Sequence, residues 1–218
     1  MGTPRLVTRS AVLAGYALGV IALYWPLPAE IPPSWTGPSG DVTWFGATIV
    51  AFLLPTATVL IETLLRGLCL RHPINQHDTA NVVLLFNSIM ARLAVFVLGV
   101  HTAVLAALLG LLFGREWAAQ IVPLMLGITL ISVGNLLPRV RPNLAIGIRT
   151  QRTLSDRACW IRTHRHAGYL VVACGVVVVL SALAVPKPIG PGMILLVGPA
   201  ALVGTWLLVR LQGRYANA

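Results

Sequence analysis

The sequence predicts an all-α polytopic membrane protein with six transmembrane helices and both termini on the cytoplasmic side. Three observations lead there. Hydrophobic residues make up 57% of the 218-residue chain and charged residues only 10%, with a mean hydropathy of +0.84, whereas soluble domains carry roughly 25% charged residues. Apolar tracts long enough to cross a bilayer recur six times. The cations between those tracts fall overwhelmingly on one side. Because a helix rises 1.5 Å per residue, about 20 residues cross roughly 30 Å of hydrocarbon, and six such spans with short loops leave no room for a large soluble domain.

In chain order the spans fall at residues 6–26, 43–65, 91–113, 117–137, 167–185 and 189–209. The first follows Arg5 and Arg9 as a signal peptide would, but "YWPLPAEIPP" offers no small-x-small cleavage site, so it reads as a retained span. The apolar tract feeding the third span starts near Asn81. Those ten or so extra residues predict an interfacial or protruding helical segment, with Arg92 at the membrane boundary.

Orientation follows from the cations, since Lys and Arg resist translocation. One side holds 13 of them: Arg5, Arg9, Arg66, Arg71, Arg210, Arg214 and the seven arginines from Arg139 to Arg165. The other holds 2, Arg115 and Lys187, with Arg92 assigned to neither. The net charge of +10 and pI near 11 would suggest nucleic acid in a soluble domain. Here the charge hugs a membrane face and implies anionic lipid as a partner, at about 1 kcal/mol per cation near the surface, and no direct nucleic-acid contact. The three cysteines, Cys69, Cys159 and Cys174, match no metal or redox spacing.

The Arg-rich loop has an order that a polybasic tether lacks. It opens on Gly134 and Asn135, passes Pro138, Pro142 and Asn143, and reaches Gly147, Arg149 and Thr150, residues that fix or free backbone angles in turns. A helix is predicted from Thr153, with Thr153 or Ser155 as its cap and Asp156 favourable to its dipole. Trp160, His164 and Gly168 then share one face at four-residue spacing. His164 is expected to pack beside Trp160 or to donate a hydrogen bond to the loop.

At this point the residues resemble a known family. "GNLLPRVRPNLAIGIRT" followed by "TLSDRACWIRTHRHAG" is similar to the signature loop of the Sdp-type immunity protein family of small bacterial membrane proteins. The match runs through Gly134, Asn135, Pro138, Pro142, Asn143, Gly147, Ile148, Arg149, Thr150, Thr153, Leu154, Trp160, Thr163, His164, Arg165 and Gly168. A second similarity, through Leu27, Pro28, Ile31, Pro32, Trp35, Gly40 and Asp41, is to the periplasmic loop of an accessory membrane module that often precedes the immunity region. The chain departs from the family pattern in two places. Gln151 and Arg152 stand where the family has Pro-Trp, and Ser34 stands where it has His.

The resemblance implies two regions in a bacterial inner-membrane protein. Residues 1–113 form an N-terminal module of three spans with a periplasmic loop at 26–42. Residues 114–218 form the immunity region of three spans with the cytoplasmic signature loop at 138–166. It also implies a non-catalytic role, toxin immunity and signal relay, with a secreted peptide toxin met on the outer side and a cytoplasmic autorepressor drawn to the inner face. No cofactor or metal is implied. The partner or ligand surface comprises Asn135, Pro138, Pro142, Asn143, Gly147, Arg149, Thr150, Arg152, Trp160, His164 and Arg165.

Two other classes set the alternatives. A binding or transport protein for an anionic, phosphate-bearing or lipid-linked ligand would bring Arg149, Arg152, Arg162 and Arg165 together, since guanidinium groups hold phosphate in a bidentate fork. An enzyme would need positioned acids, bases or metal ligands. Three intramembrane polar residues are the candidates of interest: Glu62, Arg92 and His101. Glu62 precedes Arg66 by four residues, the spacing of an ordinary helical ion pair. His101 reads equally as a functional group or as a neutral histidine bonded to a neighbouring helix. His72, His77 and Asp78 are too loosely spaced for a metal site, and His164 and His166, two apart, do not share a helix face.

Overall fold

The computed structural model describes residues 3–25, 44–71, 76–109, 115–142, 146–184 and 204. All regular structure among them is helical: α1 (Thr3–Tyr24), α2 (Trp44–Arg71), α3 (Gln76–Leu108), α4 (Arg115–Gly134), a single 3₁₀ turn (Leu137–Arg139), α5 (Gln151–Ser155) and α6 (Arg157–Ala184). Five helical segments are long and apolar enough to cross a membrane: Thr3–Tyr24, Gly46–Leu68, Ala80–Leu108, Gln120–Arg139 and Arg157–Ala184. The chain is an all-helical membrane protein. The span predicted at 189–209 lies outside the described residues except for Gly204, which is helical and set against the Leu170 side chain of α6.

The distribution of side chains suits lipid rather than water. Large apolar residues point outward, with Leu13 69%, Leu60 65%, Leu64 64% and Leu183 68% exposed. Small residues line the inside: the buried face of α1 is Thr8, Ala11, Gly15, Gly19 and Ala22. Where the surroundings are as apolar as leucine, burying leucine gains nothing. Helices then associate by close packing of small residues.

Glycine makes this most visible between α4 and α6. A Cβ placed on Gly127 would lie 2.8 Å from the Gly175 carbonyl oxygen, and one on Gly134 would lie 3.0 Å from that of Gly168. Two glycine rungs, seven residues apart on each helix, therefore hold the antiparallel backbones together. In the other half α1 packs against both α2 and α3.

α6 begins ten residues before the predicted fifth span, within the helix predicted from Thr153, so the foot of that helix and its transmembrane part are one rod. One boundary differs from the sequence expectation. The predicted cap of a helix at Thr153 is corrected. Thr150 caps the short α5, the chain breaks at Asp156, and Asp156 Oδ1 accepts the Ala158 amide hydrogen at 2.8 Å to start α6. α3 runs unbroken from Gln76 through Arg92, and Arg92 stands level with the first turn of α1 and with Ser132 of α4.

Candidate functional site

The signature loop is built onto the foot of α6. Trp160 and His164, one turn apart, are fully buried with 0% exposure, and their rings stack at 4.1 Å between centroids, tilted by 20°. Trp160 Nε1–H donates to the Val140 carbonyl oxygen at 2.7 Å, tying the chain just after the 3₁₀ turn to the helix. His164 uses both ring nitrogens. Nδ1–H donates to the Trp160 carbonyl oxygen at 2.9 Å, and Nε2 accepts the Ile148 amide hydrogen at 3.0 Å. This fixes one neutral tautomer and corrects the expected direction: His164 receives a hydrogen bond from the loop and donates none to it.

Gly147 makes that contact feasible. Its φ is +116°, a backbone angle that residues with a Cβ rarely adopt, and a Cβ there would collide with His164 Nε2. Immediately after it, Thr150 and Thr153 form a reciprocal cap. Thr150 Oγ1 accepts the Thr153 amide hydrogen at 3.2 Å, and Thr153 Oγ1 accepts the Thr150 amide hydrogen at 2.8 Å while donating to the Ile148 carbonyl oxygen at 2.9 Å. Such a cap contributes about 1 kcal/mol. Gln151 occupies the first position of α5, where a helix accepts proline, so the departure from Pro-Trp at 151 and 152 leaves the cap intact.

The remaining loop residues lie outside this buried seat. Arg149, Arg165, Asn135 and Pro138 are exposed, Arg152 and Pro142 are half-buried, and Asn143 falls outside the described residues. The structure thus divides the predicted set in two. Gly147, Thr150, Trp160 and His164 hold the shape, and Arg149 and Arg165 face outward from it. The carbonyl of Val140 was not singled out from sequence, and Thr153 was read as the cap of a helix beginning there, although the Thr-x-x-Thr spacing at 150–153 carries the signal for Thr150.

The three intramembrane polar residues stand apart from the loop and from one another. Glu62 and Arg66 form the expected i,i+4 ion pair at 2.7 Å, and Arg66 also donates to Asn87 Oδ1 at 2.9 Å and lies over the Phe86 ring at 5.1 Å. Arg92 donates from Nε to Ser132 Oγ at 2.6 Å and from Nη1 to the Ser88 carbonyl oxygen at 2.7 Å. His101 is 1% exposed, and its Nε2–H donates to the Gly15 carbonyl oxygen at 3.2 Å. Its Nδ1 has no partner among the described residues. The side chains of His77 and Asp78, with His72, lie outside the described residues, as do Ser34 and the loop at 26–42.

The pinned loop and the helix that carries it lie within the stretch that is similar to known proteins. Residues 139–209 match the sequence model of the SdpI/YfhL protein family. The SdpI/YfhL match therefore begins at the 3₁₀ turn and takes in the whole seat on α6. Across a longer stretch the chain is 28% identical to the immunity protein SdpI of Bacillus subtilis (strain 168), over 188 residues that cover 85% of this chain and 84% of that protein. No solved structure matches.

Proposed function

We propose that this chain is a non-catalytic inner-membrane protein of bacterial toxin immunity and signal relay, with both termini and the 138–166 loop in the cytoplasm. The observation that carries the reading is the seat of the loop. Within the stretch matched to SdpI/YfhL, two fully buried rings and a positive-φ glycine hold the backbone in one shape and leave Arg149 and Arg165 facing outward. A surface of this kind suits a docking partner, for which a cytoplasmic autorepressor is the fitting class. The outer-side loop at 26–42 is the segment assigned to the secreted peptide toxin. The similarity to an immunity protein along most of both chains supports the toxin side of the proposal.

The test is survival. Toxin-sensitive cells expressing the chain should outgrow cells carrying an empty vector when the secreted toxin is supplied, and equal killing would sink the proposal. Arg149→Lys keeps the charge but loses the planar fork. A charged hydrogen bond of about 1.5 to 3 kcal/mol should then vanish, lowering protection or repressor capture about tenfold at an unchanged membrane level. Loss of a bound phosphate compound from Arg149→Lys, with no dependence on toxin, would instead favour a ligand-binding protein. Sidedness is read separately in a variant lacking the native cysteines. A cysteine at Ser39 should react with an impermeant thiol reagent from outside, and one at Ser155 should not.

A further inference from the structure

A cleft with a volume of about 400 Å³ opens between α1, α3 and α4, lined among others by Thr3, Val7, Arg92, Val95, Ile128 and Ser132. Its walls are mostly apolar and face sideways, with Val7 38%, Val95 48% and Ile128 55% exposed. In a bilayer such a cleft opens to lipid and not to water. Arg92 enters it level with the first turn of α1, where the hydrocarbon gives way to headgroups under the topology above.

Among the described residues nothing compensates the charge in this cleft. Both recorded partners of Arg92, Ser132 Oγ and the Ser88 carbonyl oxygen, are neutral, and among the described residues no carboxylate lies within ion-pair distance of it. Those two bonds use Nε and Nη1. Nη2 has no recorded partner among the described residues and is available to an anion. A guanidinium held at the hydrocarbon edge without a counter-ion is costly, and a phosphate diester meets it with charge and with acceptor oxygens. The apolar walls beside it suit an acyl chain.

We propose that this cleft binds one anionic phospholipid, its phosphate on Arg92 and an acyl chain between α1, α3 and α4. This is a site, distinct from the diffuse attraction of the other cations for the membrane surface, and it stands whether or not the immunity reading does. Photoactivatable phosphatidylglycerol in vesicles of phosphatidylcholine and phosphatidylglycerol is the probe. It should label the cleft-lining peptides of α1, α3 and α4, and unlabelled phosphatidylglycerol should compete severalfold better than phosphatidylcholine. Arg92→Gln should abolish that preference, whereas Arg9→Gln, which removes an exposed cation of α1 outside the cleft, should retain it. Ile128→Trp, which narrows the cleft and leaves Arg92 in place, should lower labelling at least severalfold with an unchanged melting temperature in lipid-free detergent. This second variant decides the matter if Arg92→Gln fails to fold. Labelling unaffected by Ile128→Trp, or a phosphatidylglycerol preference that survives in folded Arg92→Gln, would overturn the proposal.

Discussion

The two halves of the molecule bury polar groups for different ends. In the amino-terminal half, α1 to α3, His101 is enclosed by small residues and satisfied at one nitrogen among the described residues. In the carboxyl-terminal half, Trp160 and His164 are enclosed just as fully, yet each ring nitrogen has a partner: Trp160 Nε1 and His164 Nε2 on loop backbone up to 20 residues away in sequence, and His164 Nδ1 on the helix itself. A buried polar group costs free energy unless it is paired. Full pairing in the second half fixes a loop to a helix, and partial pairing in the first fixes only the contact between α3 and α1. The lesson is that burial alone does not mark a functional surface; the direction in which the polar atoms are satisfied does.

The sharpest way to break this contrast is Gly147→Ala. The substitution combines a disfavoured positive φ with a Cβ placed on His164 Nε2, so it should cost about 2 kcal/mol or more and lower the folded yield or melting temperature in detergent. A parental melting temperature would mean that the loop is not held on α6. Trp160→Phe is expected to be second. It keeps most of the ring and removes the bond to Val140, leaving a buried carbonyl unpaired at about 1 to 3 kcal/mol. Thermal unfolding should show that loss, and protection should fall with it.

The smallest effect is expected from His101→Leu, which removes one 3.2 Å hydrogen bond and also Nδ1, which has no partner among the described residues. The net change should lie within about 1 kcal/mol, with protection intact. Loss of protection at full stability would move the functional centre into the amino-terminal half and overturn the comparison.

How much of this was legible in the sequence depended on whether an interaction is local. The Glu62–Arg66 pair and the shared face of Trp160, His164 and Gly168 follow from helical spacing, and the structure has both. The break at Asp156 was not legible, because the run from Thr153 into the fifth span reads as one continuous helix and only the backbone shows where two caps divide it. The acceptor role of His164 depends on an amide 16 residues earlier folding back onto it, which no period reveals. The contacts of Arg66 with Asn87 and of Arg92 with Ser132 join different helices and were equally hidden. The glycine rungs had a signal that went unused. Gly127 and Gly134 repeat the seven-residue spacing of Gly168 and Gly175.

The continuity of α6 has a mechanical meaning. A helix of 28 residues is about 42 Å long, against roughly 30 Å of hydrocarbon, so it outreaches the barrier by about two turns. With the rungs clamping its middle to α4, the helix works as a braced post whose free end carries Trp160, His164 and the loop out of the hydrocarbon to the level of the lipid headgroups on the proposed inner side. A cytoplasmic protein approaching the membrane there would meet the loop at the surface.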